Sequence, residues 1–314
     1  MIEIKALSKT YPRPKGPPVV AVDNLSLTIG SGLIYGFLGP NGAGKTTTIK
    51  MICSLVRPDR GTVRLDGRDV IRERGAAMTK IGVVLEGTRN VYWRLTAWEN
   101  LMYFGRLKGR TAKQMRPLGE RLLKDLDLWD RRYSPVRQFS RGMQQKVAIA
   151  CALIADPPII LLDEPTLGLD VQSARTVRQW IRRLVSEEGK TVVLTTHQLR
   201  MAEELCERVA IIQQGRLIAD EPVDKLLTLF TNDHFQVRVD SPLPDTLIEQ
   251  YPQLKVNVEN GVTELAGPLP DQDMLYQLLE DLRAAGAQLR SVRRVEPDLE
   301  EVFVRLLAGE GGDG

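Results

Sequence analysis

Apolar and polar positions alternate over the first seven residues, and again from Val20 to Ile29 (VAVDNLSLTI), so both segments are predicted as strands. Gly32–Gly39 (GLIYGFLG) is a continuous apolar run entering a glycine-rich turn, which predicts a buried strand and then a helix over Thr46–Cys53. Thr62–Asp66 and Lys80–Leu85 read as further short strands. From about Leu95 to Ala155 the period becomes helical. Thr96 and Glu99 have capping-box spacing before LMYFGRL, a second helix spans about Ala112–Leu126, and a third starts after Ser140. This block is expected to be an all-helical insertion between strands.

Pro158–Asp163 (PIILLD) is short and apolar, as a strand buried in a parallel sheet would be. A helix over about Val171–Glu188, the strand Thr191–Thr196 (TVVLTT), a helix over about Leu199–Cys206 and the strand RVAIIQ follow. Strands alternating with helices predict a parallel α/β sheet. Near residue 230 the pattern changes: FQVRVD and LKVNVEN alternate with period two, DQDMLYQLLEDLRAAG is amphipathic at helical period, SVRRVEP reads as a strand and DLEEVFVRLLAG as a last helix. The expected organisation is a domain over 1–228, with its helical insertion at about 90–157, a small α+β domain over 232–308, and a disordered tail over 309–314.

Composition adds limits rather than a function. The 314 residues are 43% hydrophobic and 26% charged, enough for a sizeable core. A net charge of +3 leaves no nucleic-acid footprint, and no nucleic-acid partner is expected. Cys53, Cys151 and Cys206 lie far apart and form no C-x-x-C pair, so a reducing cytosol suits them better than a zinc site or disulfide framework. The amino terminus has no apolar leader core, and the longest apolar run, Val147–Ala155, is far short of the ~20 residues a bilayer span needs. Any transport pathway is therefore expected in another chain.

Residues 39–46 read G-P-N-G-A-G-K-T, matching G-x-x-x-x-G-K-[ST] between a predicted strand and a predicted helix. Gly39, Gly42 and Gly44 permit turns closed to other residues, and their backbone N–H groups are expected to form a nest for phosphate oxygens. The residues expected to bind nucleotide here are Gly39, Pro40, Asn41, Gly42, Ala43, Gly44, Lys45, Thr46 and Thr47. Lys45 would meet the β- and γ-phosphates, and the Thr46 hydroxyl would ligate Mg²⁺. The strand IILLDE places two acids at its end. Asp163 would hold the metal and Glu164 would polarise the attacking water, against the alternative of a merely solvated strand end. His197, one of two histidines with His234, closes TVVLTT; it either senses the γ-phosphate or is structural.

With F-S-R-G-M-Q-Q-K at Phe139–Lys146, a variant of L-S-G-G-Q placed between phosphate loop and acidic pair, the chain resembles the ATP-binding subunits of ABC transporters over about residues 1–225. L-G-L-D at 167–170 matches that family's D-loop, with Asp170, and His197 its switch histidine. Tyr11 lies where the family places an aromatic that stacks on adenine; in its proline-rich setting the ring could instead simply pack. P-D-L-E-E-V-F, Pro297–Phe303, looks like the tail of the drug-resistance and antibiotic-export branch. The resemblance implies a P-loop NTPase cassette: a RecA-like parallel sheet core, an antiparallel β part and a helical insertion. It further implies ATP and Mg²⁺ as ligands, a second nucleotide-binding subunit as partner, and a separate transmembrane permease holding the chain on the inner face of the cell membrane. Ser140, Arg141, Gly142 and Met143 would then serve the ATP held by the opposite subunit.

Three departures accompany the match. Glu86 stands where the family carries a glutamine; its carboxylate is expected to ligate Mg²⁺, unless it faces solvent. Phe139, Arg141 and Met143 replace Leu, Gly and Gln, and Arg141 would help hold a phosphate or face solvent. The aromatic and arginine-rich run Glu86–Thr96 is expected to dock the membrane partner through Tyr92 and Trp93. The competing readings are a soluble, non-transport ABC ATPase and a nucleotide-sensing module without turnover.

Overall fold

The computed structural model describes residues 1–87, 90–229, 234–240, 242–259, 261–269, 272–295 and 298–308. The expected disordered tail lies outside these residues. The chain divides into two units, Met1–Val223 and Asp224–Arg305, with Leu306 onward grouped with the first. The division falls a few residues before the expected 228, where the Val223 N–H bonds the Glu207 carbonyl at 3.0 Å and ties that point to the first unit.

The first unit runs β1 (Ile2–Tyr11), β2 (Val19–Ile29), β3 (Ile34–Leu38), α1 (Lys45–Ile52), β4 (Arg60–Leu65), β5 (Arg68–Asp69), α2 (Arg74–Met78), β6 (Ile81–Val84), α3 (Ala97–Leu107), α4 (Ala112–Asp125), α5 (Arg141–Leu153), β7 (Ile159–Asp163), α6 (Val171–Ser186), β8 (Thr191–Thr196), α7 (Leu199–Leu205), β9 (Arg208–Gln213) and β10 (Arg216–Pro222). An antiparallel sheet has the order β2-β1-β4-β5. A second sheet, β10-β9-β3-β8-β7-β6, is parallel except at its β10 edge. One buried cluster joins side chains of both sheets and α1, among them Ile4, Leu27, Phe37, Ile49, Met51 and Val193. Three threonines make KTTTIKMI a poor helix by propensity. Burial of Thr48, Ile49, Met51 and Ile52 holds α1 in place.

Register does the positioning. Leu38 pairs with Thr196, Thr195 with Asp163, and Leu162 with Val84. The carboxyl ends of β3, β8, β7 and β6 therefore lie side by side, and the loops leaving them emerge at one edge, where open α/β sheets place their ligands.

The helical segment enters α3 through the capping box anticipated above. Thr96 Oγ1 accepts from the Glu99 N–H at 3.1 Å, and Glu99 Oε2 accepts from the Thr96 N–H at 2.8 Å. A second box, Thr111 with Gln114, opens α4. Asn100 is fully buried and holds the preceding loop: its Oδ1 accepts from Tyr92 N–H at 2.8 Å, and its Nδ2 donates to the carbonyls of Tyr92 (3.0 Å) and Thr96 (2.9 Å). Tyr92 and Trp93 themselves stand half exposed, Tyr92 with its ring edge-on to Tyr103 at 4.9 Å. Residues 147–155 are core, as expected, and among the described residues no helix is long and apolar enough to cross a membrane. All three cysteines are free and buried; burial pushes the Cys53 and Cys206 thiols up to about 12.

After α8 (Val223–Leu229), the second unit contains β11 (His234–Val239), α9 (Asp245–Ile248), β12 (Lys255–Glu259), β13 (Val262–Pro268), α10 (Gln272–Ala284) and β14 (Leu289–Val295); α11 (Leu299–Ala308) ends the described chain. Its antiparallel order, β12-β13-β11-β14, with the chain sequence β-α-β-β-α-β, is a ferredoxin-like split βαβ arrangement. Val237, Val239 and Leu265 of the sheet pack with Leu278 and Leu282 of α10. β13 escaped the sequence pattern because its buried face carries Thr263, Leu265 and Gly267, so burial alternates where hydrophobicity does not. β5, α2 and α9 are too short to show a period, and β10 is a half-exposed edge.

Asn100→Leu leaves the Tyr92 amide without its buried acceptor, and is expected to lower unfolding stability by ~1–3 kcal/mol in urea titration.

Candidate functional site

The loop between β3 and α1 turns on Gly44, whose φ of 108° is left-handed and whose Cβ, if present, would stand 2.2 Å from the Ala21 carbonyl oxygen of β2. Both geometry and space require glycine there. Pro40, Asn41 and Gly42 are exposed, Gly39 and Ala43 buried, and Thr47 half-buried. Lys45 is buried and folds back over its own loop, donating Nζ to the Gly39 carbonyl at 2.6 Å and the Pro40 carbonyl at 3.1 Å. Burial lowers the lysine pKa, while the nearby carboxylates of Glu164, Asp163 and Glu86 pull it the other way. The ammonium thus spans the mouth of an amide-lined loop at a helix start, the arrangement that binds phosphate.

Asp163 ends β7 and is buried. Its Oδ1 accepts from Thr195 Oγ1 at 2.5 Å and Thr46 Oγ1 at 3.1 Å, and its Oδ2 lies 3.4 Å from the Glu86 N–H. Glu164 follows with a φ of 50°, held by its N–H bonding both the carbonyl (3.2 Å) and the hydroxyl (3.1 Å) of Thr195. Its Oε1 meets His197 Nδ1 at 2.8 Å. Among the described residues no group of three or more His, Cys, Asp or Glu side chains forms a self-sufficient metal cage. Thr46 and Asp163 nonetheless converge two hard oxygen donors beside the loop, which fits a Mg²⁺ completed by phosphates and water. The Glu86 carboxylate is exposed, and its loop is stapled by Asn90, which bonds the Leu85 carbonyl at 2.7 Å and accepts from the Leu85 N–H at 3.2 Å.

Ser140 caps α5, accepting from the Met143 N–H at 3.2 Å. Gly142 is buried so closely against α6 that a Cβ would stand 2.3 Å from Ser173 Oγ. Asp170 caps α6 through the Ser173 N–H (2.9 Å) and hydroxyl (2.7 Å), and these bonds hold its carboxyl below the usual carboxylate range. Arg141 is exposed and lines a cleft with Glu86, Asp163 and Glu164. Tyr11 lies at the end of β1, half-buried, with the Lys9 ammonium 5.6 Å from its ring centroid and Lys9 tied to Asp59 at 2.7 Å.

The structure therefore brings Lys45, Thr46, Asp163, Glu164 and His197 to one place, with the Glu86 backbone beside them and Arg141 across the cleft. It does not place the Glu86 carboxylate on Asp163 or Thr46 directly. Sequence reasoning missed Thr195, whose hydroxyl meets the Asp163 carboxylate and which holds the Glu164 amide; in sequence it is only one of three threonines in TVVLTT.

The chain is similar to known proteins in sequence and in fold. Residues 22–167 match the ABC transporter family profile, and residues 234–293 match a domain of unknown function, DUF8691. The daunorubicin/doxorubicin resistance ATP-binding protein DrrA of Streptomyces peucetius is 34% identical over 99% of this chain and 94% of its own length. Nod factor export ATP-binding protein I of Paraburkholderia xenovorans is 35% identical over 99% of this chain and 98% of its own. A dimeric, post-hydrolysis structure of the ATP-binding cassette MJ0796 with ADP and Pi superposes with a TM-score of 0.65 at 31% identity, covering 71% of this chain and 98% of that one.

Thr195→Val keeps the volume but removes the hydroxyl between Asp163 and Glu164. Phosphate release from ATP is expected to fall at least about tenfold, with Thr195→Ser retaining most of the rate.

Proposed function

The chain belongs to the ABC transporter family, and on that premise we propose that it is the ATP-hydrolysing subunit of an exporter, working as a pair of copies on a separate membrane permease. The relatives named for drug resistance and for Nod factor export support the outward direction, and the dimeric cassette with ADP and Pi supports the pairing. The permease would hold the chain on the inner face of the membrane. The observation that carries the reading is the acid pair Asp163–Glu164, oriented by one buried threonine beside an amide-lined phosphate loop.

ATP phosphates enter the loop at residues 39–47, and Lys45 Nζ leaves the Gly39 and Pro40 carbonyls for the β- and γ-oxygens. Mg²⁺ would be held by Thr46 and Asp163, with Glu86 as a further oxygen ligand, and would supply positive charge that offsets the charge of the transferring phosphoryl group. Glu164, held in a left-handed backbone conformation, accepts the proton of the attacking water. His197 orients Glu164 through the 2.8 Å contact and is placed to register loss of the γ-phosphate. Tyr11 stacks on adenine. The Ser140–Met143 turn of the second copy, with Asp170 beside it, closes over the γ-phosphate with its N–H groups and helix dipole. ATP favours the closed pair because it touches both copies only there.

Glu164→Gln is expected to cut steady-state phosphate release by about 100-fold or more while ATP-bound dimer accumulates in size-exclusion chromatography. Wild-type turnover in that variant would overturn the assignment. Glu86→Gln is expected to change the Mg²⁺ concentration giving half-maximal hydrolysis; an unchanged Mg²⁺ titration removes Glu86 from the metal site.

A further inference from the structure

The first turn of α5 grips the segment that follows Glu164 at three points. Gln145 Nε2 donates to the Pro165 carbonyl at 3.2 Å. Gly142 abuts Ser173 and Asp170, leaving no space for a side chain. The third point is Arg141: a Cβ built on Gly168 would lie 3.2 Å from its Nη1, 3.3 Å from Cζ and 3.5 Å from Nη2. Three near-equal distances mean that the guanidinium turns its flat face to the space a Gly168 side chain would fill. Gly168 has a φ of 69°, so this surface is bare of a side chain for a conformational reason as well. Arg141 and Gln145 are i and i+4 and share one face of the helix, with Gly142 at its side.

Arg141 keeps that pose without a strong anchor: among the described residues no hydrogen bond or ion pair holds its guanidinium. Its charge faces the cleft it lines with Glu86, Asp163 and Glu164, and their summed field favours keeping it there. Its flat face, rather than an N–H edge, is turned to the bare side of Gly168. That separates it from a residue whose purpose is to reach a phosphate.

We propose that Arg141 is a positioning residue that clamps Pro165–Asp170 to the signature turn of its own subunit, so that a nucleotide meeting Ser140 from the second copy sets the pose of Glu164. This rests on the ATP-hydrolysing reading above. Through the clamp, the turn that greets one nucleotide and the base that attacks the other move as one body. Gln145 and Gly142 hold the two ends of the Pro165–Asp170 segment, and Arg141 is placed against its middle, at Gly168.

The test is ATP hydrolysis by the purified full-length chain over a range of ATP concentrations, for Arg141→Ala, Arg141→Lys, Gly168→Ala and the Arg141→Ala/Gly168→Ala pair, with thermal melts to show that each folds. Expected is about a tenfold fall in kcat for Arg141→Ala with KM within about twofold. Arg141→Lys should give no rescue, because an ammonium is a point charge that cannot cover a peptide plane. The double variant should be no slower than Gly168→Ala alone. A raised KM with kcat kept and rescue by lysine would make Arg141 a phosphate contact and overturn the clamp; wild-type kinetics in Arg141→Ala would overturn it too. A wild-type chain that hydrolyses no ATP overturns the underlying reading, an outcome distinct from either.

Discussion

Five residue pairs in parallel register, Ile159–Asp163 against Thr191–Thr195, hold the rest of this protein in order. Because Thr195 is opposite Asp163, its hydroxyl falls on the carboxylate, and its carbonyl and hydroxyl both fall on the Glu164 amide. A slip of one residue would turn every side chain of that strand to the other face of the sheet. Asp163 would then be buried without its 2.5 Å partner, and Glu164 would lose the bonds that keep it in a left-handed conformation costly for any residue but glycine. All five residues of β7 and all six of β8 are buried, so burial alone would survive a slip, and the pairing of the Thr195 hydroxyl with Asp163 favours this register.

Electrostatics shape the same edge. Asp163, Glu164 and Glu86 gather near a single buried ammonium, Lys45, whose burial alone would favour its neutral form. The lysine occupies loop carbonyls instead of a salt bridge, so it is not neutralised by the acids and remains available for an anion. Such a site is incomplete by charge: the acids ask for a cation and the loop amides for an anion. A metal-bound triphosphate satisfies both at once, which is the physical content of the family's substrate choice.

The signature helix is tied into this edge from the side. Gly142 can abut Ser173 only because it lacks a side chain, and Asp170 spends its carboxylate on the Ser173 amide and hydroxyl. Local caps on α5 and α6 thereby become one interlocked corner, and Arg141 lies across it. Leu85 and Tyr92, before α3, are held in a similar way by Asn90 and Asn100, each exchanging bonds with backbone in both directions.

The sequence alone determined what contiguous residues can encode: the phosphate loop between strand and helix, the acid pair at a strand end, the signature turn with its serine cap, the helical insertion opened by Thr96 and Glu99, and the change of style near residue 230. Each is a short-range pattern whose physical requirement is met within a few residues. What tertiary structure decided are contacts between residues 20 to 35 apart or more: Thr195 on Asp163, His197 on Glu164, Gln145 on Pro165, and the Arg141 plane on Gly168. It also decided the β13 strand, whose buried Thr263 and Gly267 disguise its period, and hence the split βαβ order of the second unit. Such choices depend on strand register and on backbone space left by glycine, and neither is written in the hydrophobic pattern of any one segment.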